Sequence, residues 1–485
     1  MIVYKLQNSS RIIAIYIVTK APVTNLLKEL NMSTLSNIFL LSVLLLTIFI
    51  FFSIFRSGEK LKSPPSPIRL PIIGNLHQLG TLPHRSLHTL SKKYGPLMLM
   101  HLGQLPTLVV SSTDMDKEIK TIHDSWRQVR KLCVVELLSL KRVQQFQYAR
   151  EEEVAELVKK IRKECLSESP IDLSDMLIKT SNNILSSCVI GKRFVEENKN
   201  WFGEASRRLM VQLMSFSVGD FFPSLRWIDN LRGFIARLKA TSAELDGFFD
   251  QLIEEQKAIK GECELKTRDF VDILLKYGKD DALNLDLTQD NLKAILQDMF
   301  IRGSDTTSTT LEWLMAELVR NPNVMEKVQQ EVRRVEGQKA KLDVDDINQM
   351  DYLKCVIKET LRLHPPITLV HQETTGAVTL GGYYIPAKTR DKPEEFLPDR
   401  FEDNSIDFNG QDFQFFPFGG GRRGCPRQAF ALAIVEYMVA NLLFWFDWKL
   451  PSGNVSVEAI DMSEVYGLVV YKKAPLCLVP VPFST

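Results

Sequence analysis

The residues best placed to do chemistry lie in one stretch, Phe416-Pro417-Phe418-Gly419-Gly420-Gly421-Arg422-Arg423-Gly424-Cys425-Pro426. It sets one cysteine ahead of a strongly apolar helix running through Phe430, Ile434, Val435, Met438 and Leu442. Proline is favoured at the first helical position, which makes Cys425 the expected cap. There the sulfur faces unpaired backbone N–H groups and the positive end of the helix dipole. Both stabilise a thiolate, a soft metal ligand. Four glycines strip side chains from the approach, so something large and flat could lie against this backbone, and the two arginines suit acidic groups. A lone free cysteine is more often a small buried hydrophobe, so its surroundings decide.

Three further constellations carry chemical possibilities. Residues 303–310, Gly-Ser-Asp-Thr-Thr-Ser-Thr-Thr, form a polar turn inside a helical pattern whose flanks, Met299, Phe300, Ile301, Leu311, Trp313 and Leu314, are apolar. A solvated face is the plain explanation, but apolar flanks on both sides indicate a buried helix whose polar turn lines a cavity. Hydroxyls there can bond back to carbonyls and bend the helix. Glu359 and Arg362 stand at i, i+3, by itself an ordinary surface pair. Trp126 and Arg130 lie one helical turn apart, by default an amphipathic contact.

Taken together and in order, these stretches resemble the cytochrome P-450 superfamily, specifically its plant microsomal members that hydroxylate terpenoids and other secondary metabolites. Phe418-x-x-Gly421-x-Arg423-x-Cys425 is similar to the haem-binding loop, which implies that Cys425 is the axial iron ligand of haem b. The resemblance makes Asp305 and Thr306 the acid-threonine pair that guides protons to bound dioxygen. It makes Glu359, Arg362 and Arg400 (in Pro398-Asp399-Arg400-Phe401) a structural triad, and Trp126, Arg130 and Arg423 donors to the haem propionates. It further implies a pocket lined by Met299, Ile301, Gly303, Ile367, Leu369, Val370 and Leu468, with residues 203–235 as a lid. The implied partners are dioxygen, a lipophilic small molecule and an NADPH-dependent membrane reductase. That reductase would dock near Lys131, Arg422 and Arg423.

The elements that position these residues follow from pattern. Residues 97–110 read as two strands about a turn at 103–106, and residues 116–260 as helical. Residues 288–320 read as one long helix capped by Thr288 and ended by Asn321-Pro322, which opens the next helix to about residue 336. Residues 351–363 form a helix stopped by His364-Pro365-Pro366. Short strands follow near 380–385, and 468–471 with 476–481 read as a terminal β pair. The fold class is mainly α with a small β subdomain, which by the resemblance is the cytochrome P-450 fold.

A chain of 485 residues with 45% hydrophobic content can bury a large core. A net charge of +1 gives no argument for nucleic-acid binding. Seven cysteines without C-x-x-C spacing argue against zinc or a disulfide framework and for a reducing compartment. Residues 37–55 carry no charge and are followed by Arg56, Lys60 and Lys62, the pattern of a transmembrane anchor with the body in the cytosol. The resemblance places it in the endoplasmic reticulum membrane. Residues 1–36 are an atypical extension, 56–76 a proline-rich hinge and 77–485 the haem-thiolate domain.

Departures from the family's pattern bear on function. Segments are missing near 124–125 and 390–393, the first being a substrate-covering stretch. Arg302 and Arg427 replace small residues beside the cofactor, and His371-Gln372-Glu373 lacks a usual basic residue. Two functions compete: an active monooxygenase, or a member of the same fold that binds haem poorly or not at all.

Overall fold

The computed structural model describes residues 2–6, 40–44, 47, 64–95, 97–111, 130–166, 169–191, 201–260, 269–277, 288–336, 342–374, 395–402, 406–408, 415, 417–420, 424–451 and 460–483. They fall into two units, residues 1–121 with 371–383 and residues 122–370 with 384–485.

The larger unit is built on the helix Gln289–Arg320. The Thr288 hydroxyl accepts from the Asn291 N–H at 3.3 Å, and Asp290 and Arg320 sit at the ends that suit their charges. Asn321 ends the helix and Pro322 opens Pro322–Glu336, as the sequence leads one to expect. Its apolar flanks are buried, from Leu292 to Phe300 and from Leu311 to Val319, and it packs along Leu173–Ile190. The helix after the cysteine, Gln428–Trp445, is apolar on every side and runs through the core. Among the described residues it is the one helix long and apolar enough to cross a membrane. It is mostly buried in protein, which identifies a core helix. Asp351–Leu363 has the expected bounds, with His364 as its C-cap. The stretch 130–260 is largely helical, interrupted by a π-helical turn at Cys133–Leu137 and a short strand at Ile171–Asp172.

The terminal β pair expected between 468–471 and 476–481 does not form. Cys477–Pro482 lies instead between Phe446–Lys449 and Ile171–Asp172, while Tyr471–Lys472 pairs with Glu464–Val465. Phe446 follows the core helix without a loop and is fully buried, so its strand is held at the right depth before 476–481 arrives. The Lys472 ammonium donates to the carbonyls of Asp461 and Ala474, which keeps its strand in a local turn. The expected strand at 380–385 lies outside the described residues.

In the smaller unit the two expected strands, Leu97–Leu102 and Leu105–Val110, pair in antiparallel register. The full spatial order is Leu97–Leu102, Leu105–Val110, Ile2–Leu6, Val370–Thr374. The extension at the N-terminus thus supplies an inner strand, with Ile2 opposite Val110 and Lys5 opposite Thr107. The proline-rich stretch is not a free spacer from Pro65 onward, because the Pro65 carbonyl accepts from the Leu99 N–H at 2.9 Å. Fully buried Asn75 donates to the Pro67 and Ile68 carbonyls and accepts from the His101 N–H. Gly74 is required here: its φ is +61°, and a Cβ would sit 2.1 Å from the His101 carbonyl oxygen.

Deleting residues 1–7 should turn Leu105–Val110 into an edge strand. Hydrogen exchange of its amides should accelerate at least roughly tenfold, since paired edges are protected by local stability. Unchanged protection would show that Ile2–Leu6 contributes nothing to the sheet.

Candidate functional site

Gly419, at φ +71°, turns the loop so that the Cys425 N–H donates to the Phe418 carbonyl at 2.7 Å. The sequence places Cys425 as helix cap, and the structure corrects this. The helix begins at Gln428 with Arg427 as N-cap, and the Ala431 N–H donates to the Arg427 carbonyl at 2.9 Å. Pro426 serves a turn ahead of the helix, a use its fixed φ suits equally well. Cys425 is exposed and free, and the Gly424 carbonyl before it accepts from the Arg130 guanidinium.

Behind the loop stands a buried ion cluster. Glu359 is fully buried and bound by Arg362 through Nε at 2.7 Å and Nη2 at 3.0 Å. Arg400 Nε reaches the same carboxylate at 3.0 Å, and the Leu397 N–H adds a further bond at 2.8 Å. Both guanidinium groups also donate to the Glu395 carbonyl. The i, i+3 pair that looked ordinary alone is therefore a four-donor cage for one carboxylate, with the geometry that makes a buried pair tolerable.

A row of aromatic rings links cage to loop. Phe401, next to Arg400, contacts Phe415 at 5.3 Å; Phe415 meets Phe408 at 6.3 Å, and Phe408 meets Phe418 edge-on at 5.7 Å. Phe418 is the residue whose carbonyl holds the Cys425 N–H. Lys358, next to Glu359, donates to the Ile406 carbonyl at 3.2 Å and fixes the middle of the row. Sequence reasoning missed this row because its members follow no helix or strand period.

The polar turn of the long helix is continuous helix, and most of its hydroxyls bond back to its own carbonyls. Thr306, Thr307 and Thr310 donate to the carbonyls of Arg302, Gly303 and Thr306, each at 2.9 Å, and Ser304 donates to Asn182. Ser304 and Thr307 to Thr310 are buried. Arg302 points outward and pairs with Asp298 at 3.2 Å, both side chains about two-thirds exposed (66% and 69%). Arg427 does the opposite. Its guanidinium donates to the Met299 carbonyl at 2.5 Å and lies 2.6 Å from where a Gly303 Cβ would be. Burial pulls its pKa down, opposed by Cys425 and Asp298 and aided by Arg302.

Of the expected pocket residues, Met299 and Leu369 are buried, Leu468 is partly buried and Ile367 is exposed. Trp126 and Arg423 lie outside the described residues, as do the side chains of Ile301 and Val370. Another unanticipated cluster lies at the end of Asp351–Leu363. His364 stacks on Trp313 at 4.1 Å and pairs with buried Glu317 at 2.7 Å, while Trp313 Nε1 donates to the Val470 carbonyl at 3.3 Å. The signal was His364 itself, a polar residue at a helix stop between apolar neighbours.

Two measurements check this geometry. Glu359→Gln leaves two arginines without their buried countercharge and should cost about 3–5 kcal/mol in chemical denaturation; a loss below roughly 1 kcal/mol would contradict the cage. Burial pushes the Cys133 thiol up to about 11 and Cys188 up to about 12, so both stay protonated at pH 8. Iodoacetamide at that pH should therefore label Cys425 and spare Cys133 and Cys188 by mass spectrometry. Equal labelling of all three would contradict the described exposures.

Comparison with known proteins shows the family. A sequence model of the family Cytochrome P-450 matches residues 64–124, 120–390 and 391–477. A phenylacetaldehyde oxime monooxygenase of Prunus mume is 53% identical over 94% of this chain and 97% of its own length. That alignment spans 511 positions, more than the 485 residues of the chain, so the relative holds residues with no counterpart here. A cytochrome P-450 of Persea americana is 46% identical over 84% of the chain and 91% of the relative, and a strychnine-11-hydroxylase of Strychnos nux-vomica 41% over 86% and 91%. With the caged Glu359 behind an exposed Cys425 and matches along most of its length, the chain belongs to the cytochrome P-450 family of haem-thiolate monooxygenases.

Proposed function

We propose that the chain monooxygenates a small lipophilic secondary metabolite of plants. One atom of dioxygen enters the substrate and the other leaves as water, with two electrons and two protons from outside. An NADPH-dependent membrane reductase supplies the electrons. Cys425 is the residue assigned to the haem iron, with Trp126, Arg130 and Arg423 assigned to the propionates and Asp305 with Thr306 to proton delivery. The carrying observation is the braced loop: a buried four-donor cage and an aromatic row hold the backbone beside one exposed thiol. The terpenoid-like class expected from sequence is widened by the 53% relative, whose name specifies an aromatic oxime.

The residues present suit haem in donor chemistry but not in volume. Exposed Cys425, the glycines before it and bare Gly303 suit a flat ring bound through iron. Arg427, bonded to Met299 and pressed on Gly303, stands between the two walls, so the conformation described does not fit the group. That single observation favours the second reading, a member of the family that loads haem poorly.

The anchor at residues 37–55 is proposed for the endoplasmic reticulum membrane. One crossing puts the N-terminus and the body on opposite sides, so it excludes pairing of Ile2–Leu6 with Leu105–Val110 in the same molecule. Fifteen of the nineteen residues are Leu, Ile, Phe or Val, each contributing about 0.3–0.6 kcal/mol to insertion near the helix centre. A short strand with net hydrogen bonds of about 0.5–1.5 kcal/mol each competes at similar strength, but it also loses the ordering entropy of its residues. Insertion therefore wins when a membrane is present. An N-glycosylation acceptor added before Met1 should be modified in microsomes; an unmodified acceptor would place both ends of the segment in the cytosol.

For the reaction itself, the chain in nanodiscs with a plant reductase, NADPH and ¹⁸O₂ is to be offered lipophilic substrates including phenylacetaldehyde oxime. Labelled product should scale with the haem-loaded fraction and vanish in Cys425→Ser. Labelled product undiminished in that variant would contradict the assignment.

A further inference from the structure

We infer that Arg427 is an internal latch whose side chain fills the slot between the cysteine loop and the long helix, so that a planar cofactor enters only when this arginine leaves. The inference rests on the reading of Cys425 as the iron ligand.

Two stretches of backbone in the larger unit lack side chains: the glycines before Cys425, and Gly303 in the polar turn, and Arg427 is the residue that connects them. A flat ring ligated by Cys425 needs bare backbone on the cysteine side and room against the long helix. Arg427 starts two residues past Cys425, at the N-cap, and ends on the long helix. Its Nη1 donates to the Met299 carbonyl, and Nη1 and Cζ lie 2.6 and 3.4 Å from the position of a Gly303 Cβ. The gap left by that glycine is thus shared by this guanidinium, which makes the nearest approach, and Leu185 Cδ2 at 3.0 Å. Arg302, the other arginine flagged in the sequence, does not enter the slot but turns outward to Asp298.

The latch is held by a charged donor on a backbone carbonyl in a part-buried setting, an interaction of roughly one to two decades in an equilibrium constant. It is opposed by the cost of taking a guanidinium out of water. Removing the arm gives up no helix cap, because Arg427 makes no side-chain capping bond, and glycine and serine are both favoured N-caps. Arg427→Gly and Arg427→Ser should therefore fold as the parent does.

The test titrates purified apo chain and both variants with hemin, read by tryptophan quenching and by Soret absorbance, with a thermal melt for each. The expected result is hemin affinity about 10- to 100-fold higher in both variants, with melts of the apo forms close to the parent. Equal affinity and stoichiometry in parent and variants would overturn the latch and leave the family reading intact. Failure of both well-folded variants to bind would overturn it too, since the obstacle would lie elsewhere. Cys425→Ser in the Arg427→Gly background separates the two claims. Loading indifferent to that change would remove Cys425 as the ligand, while the latch stands or falls on the variant-to-parent ratio alone.

Discussion

A single carboxylate with no access to water organises the site. Glu359 is tolerated in the core because Arg362, Arg400 and the Leu397 N–H meet its oxygens. Arg362 shares the helix of Glu359, whereas Leu397 and Arg400 lie together some forty residues on, so the cage ties the helix Asp351–Leu363 to the turn Pro398–Phe401. From there the rings of Phe401, Phe415, Phe408 and Phe418 carry the constraint to the backbone that holds Cys425. The cost of leaving any member of such a cluster unpaired is what makes the loop's position definite.

The opposite wall is governed by a different economy. The polar turn of the long helix places the hydroxyls of Ser304, Thr306, Thr307, Ser308 and Thr310 on its own carbonyls and on Asn182. Thr306 donates its hydroxyl hydrogen to the Arg302 carbonyl, which leaves the oxygen lone pairs as acceptors. A wall whose hydroxyls bond mostly to itself will accept whatever fills the space beside it. In this chain the filler is Arg427, whose length spans the slot and whose charge finds the Met299 carbonyl.

Much of this was legible in the sequence wherever a local rule applied. Thr288, Asn321 and Pro322 marked the long helix to within a residue because caps act on their nearest neighbours. Glu359 and Arg362 were legible through i, i+3 spacing, and Arg400 through resemblance. The direction of two arginines was not: Arg302 and Arg427 looked alike as replacements for small residues, yet packing sends one to solvent and the other inward. The strand at Ile2–Leu6 was illegible because its partner lies about a hundred residues away and no turn signals the pairing. The misplaced cap at Cys425 came from a proline that serves a turn as readily as a helix start.

The central claim is that this chain keeps the braced cysteine of its family while an arginine two residues on closes the space the cysteine serves. The reduced carbon-monoxide difference spectrum, taken on parent and Arg427→Ser side by side at equal protein and hemin, tests it most directly. The account predicts a thiolate-type Soret band that is strong in the variant and weak in the parent. A full-strength thiolate band from the parent would contradict it.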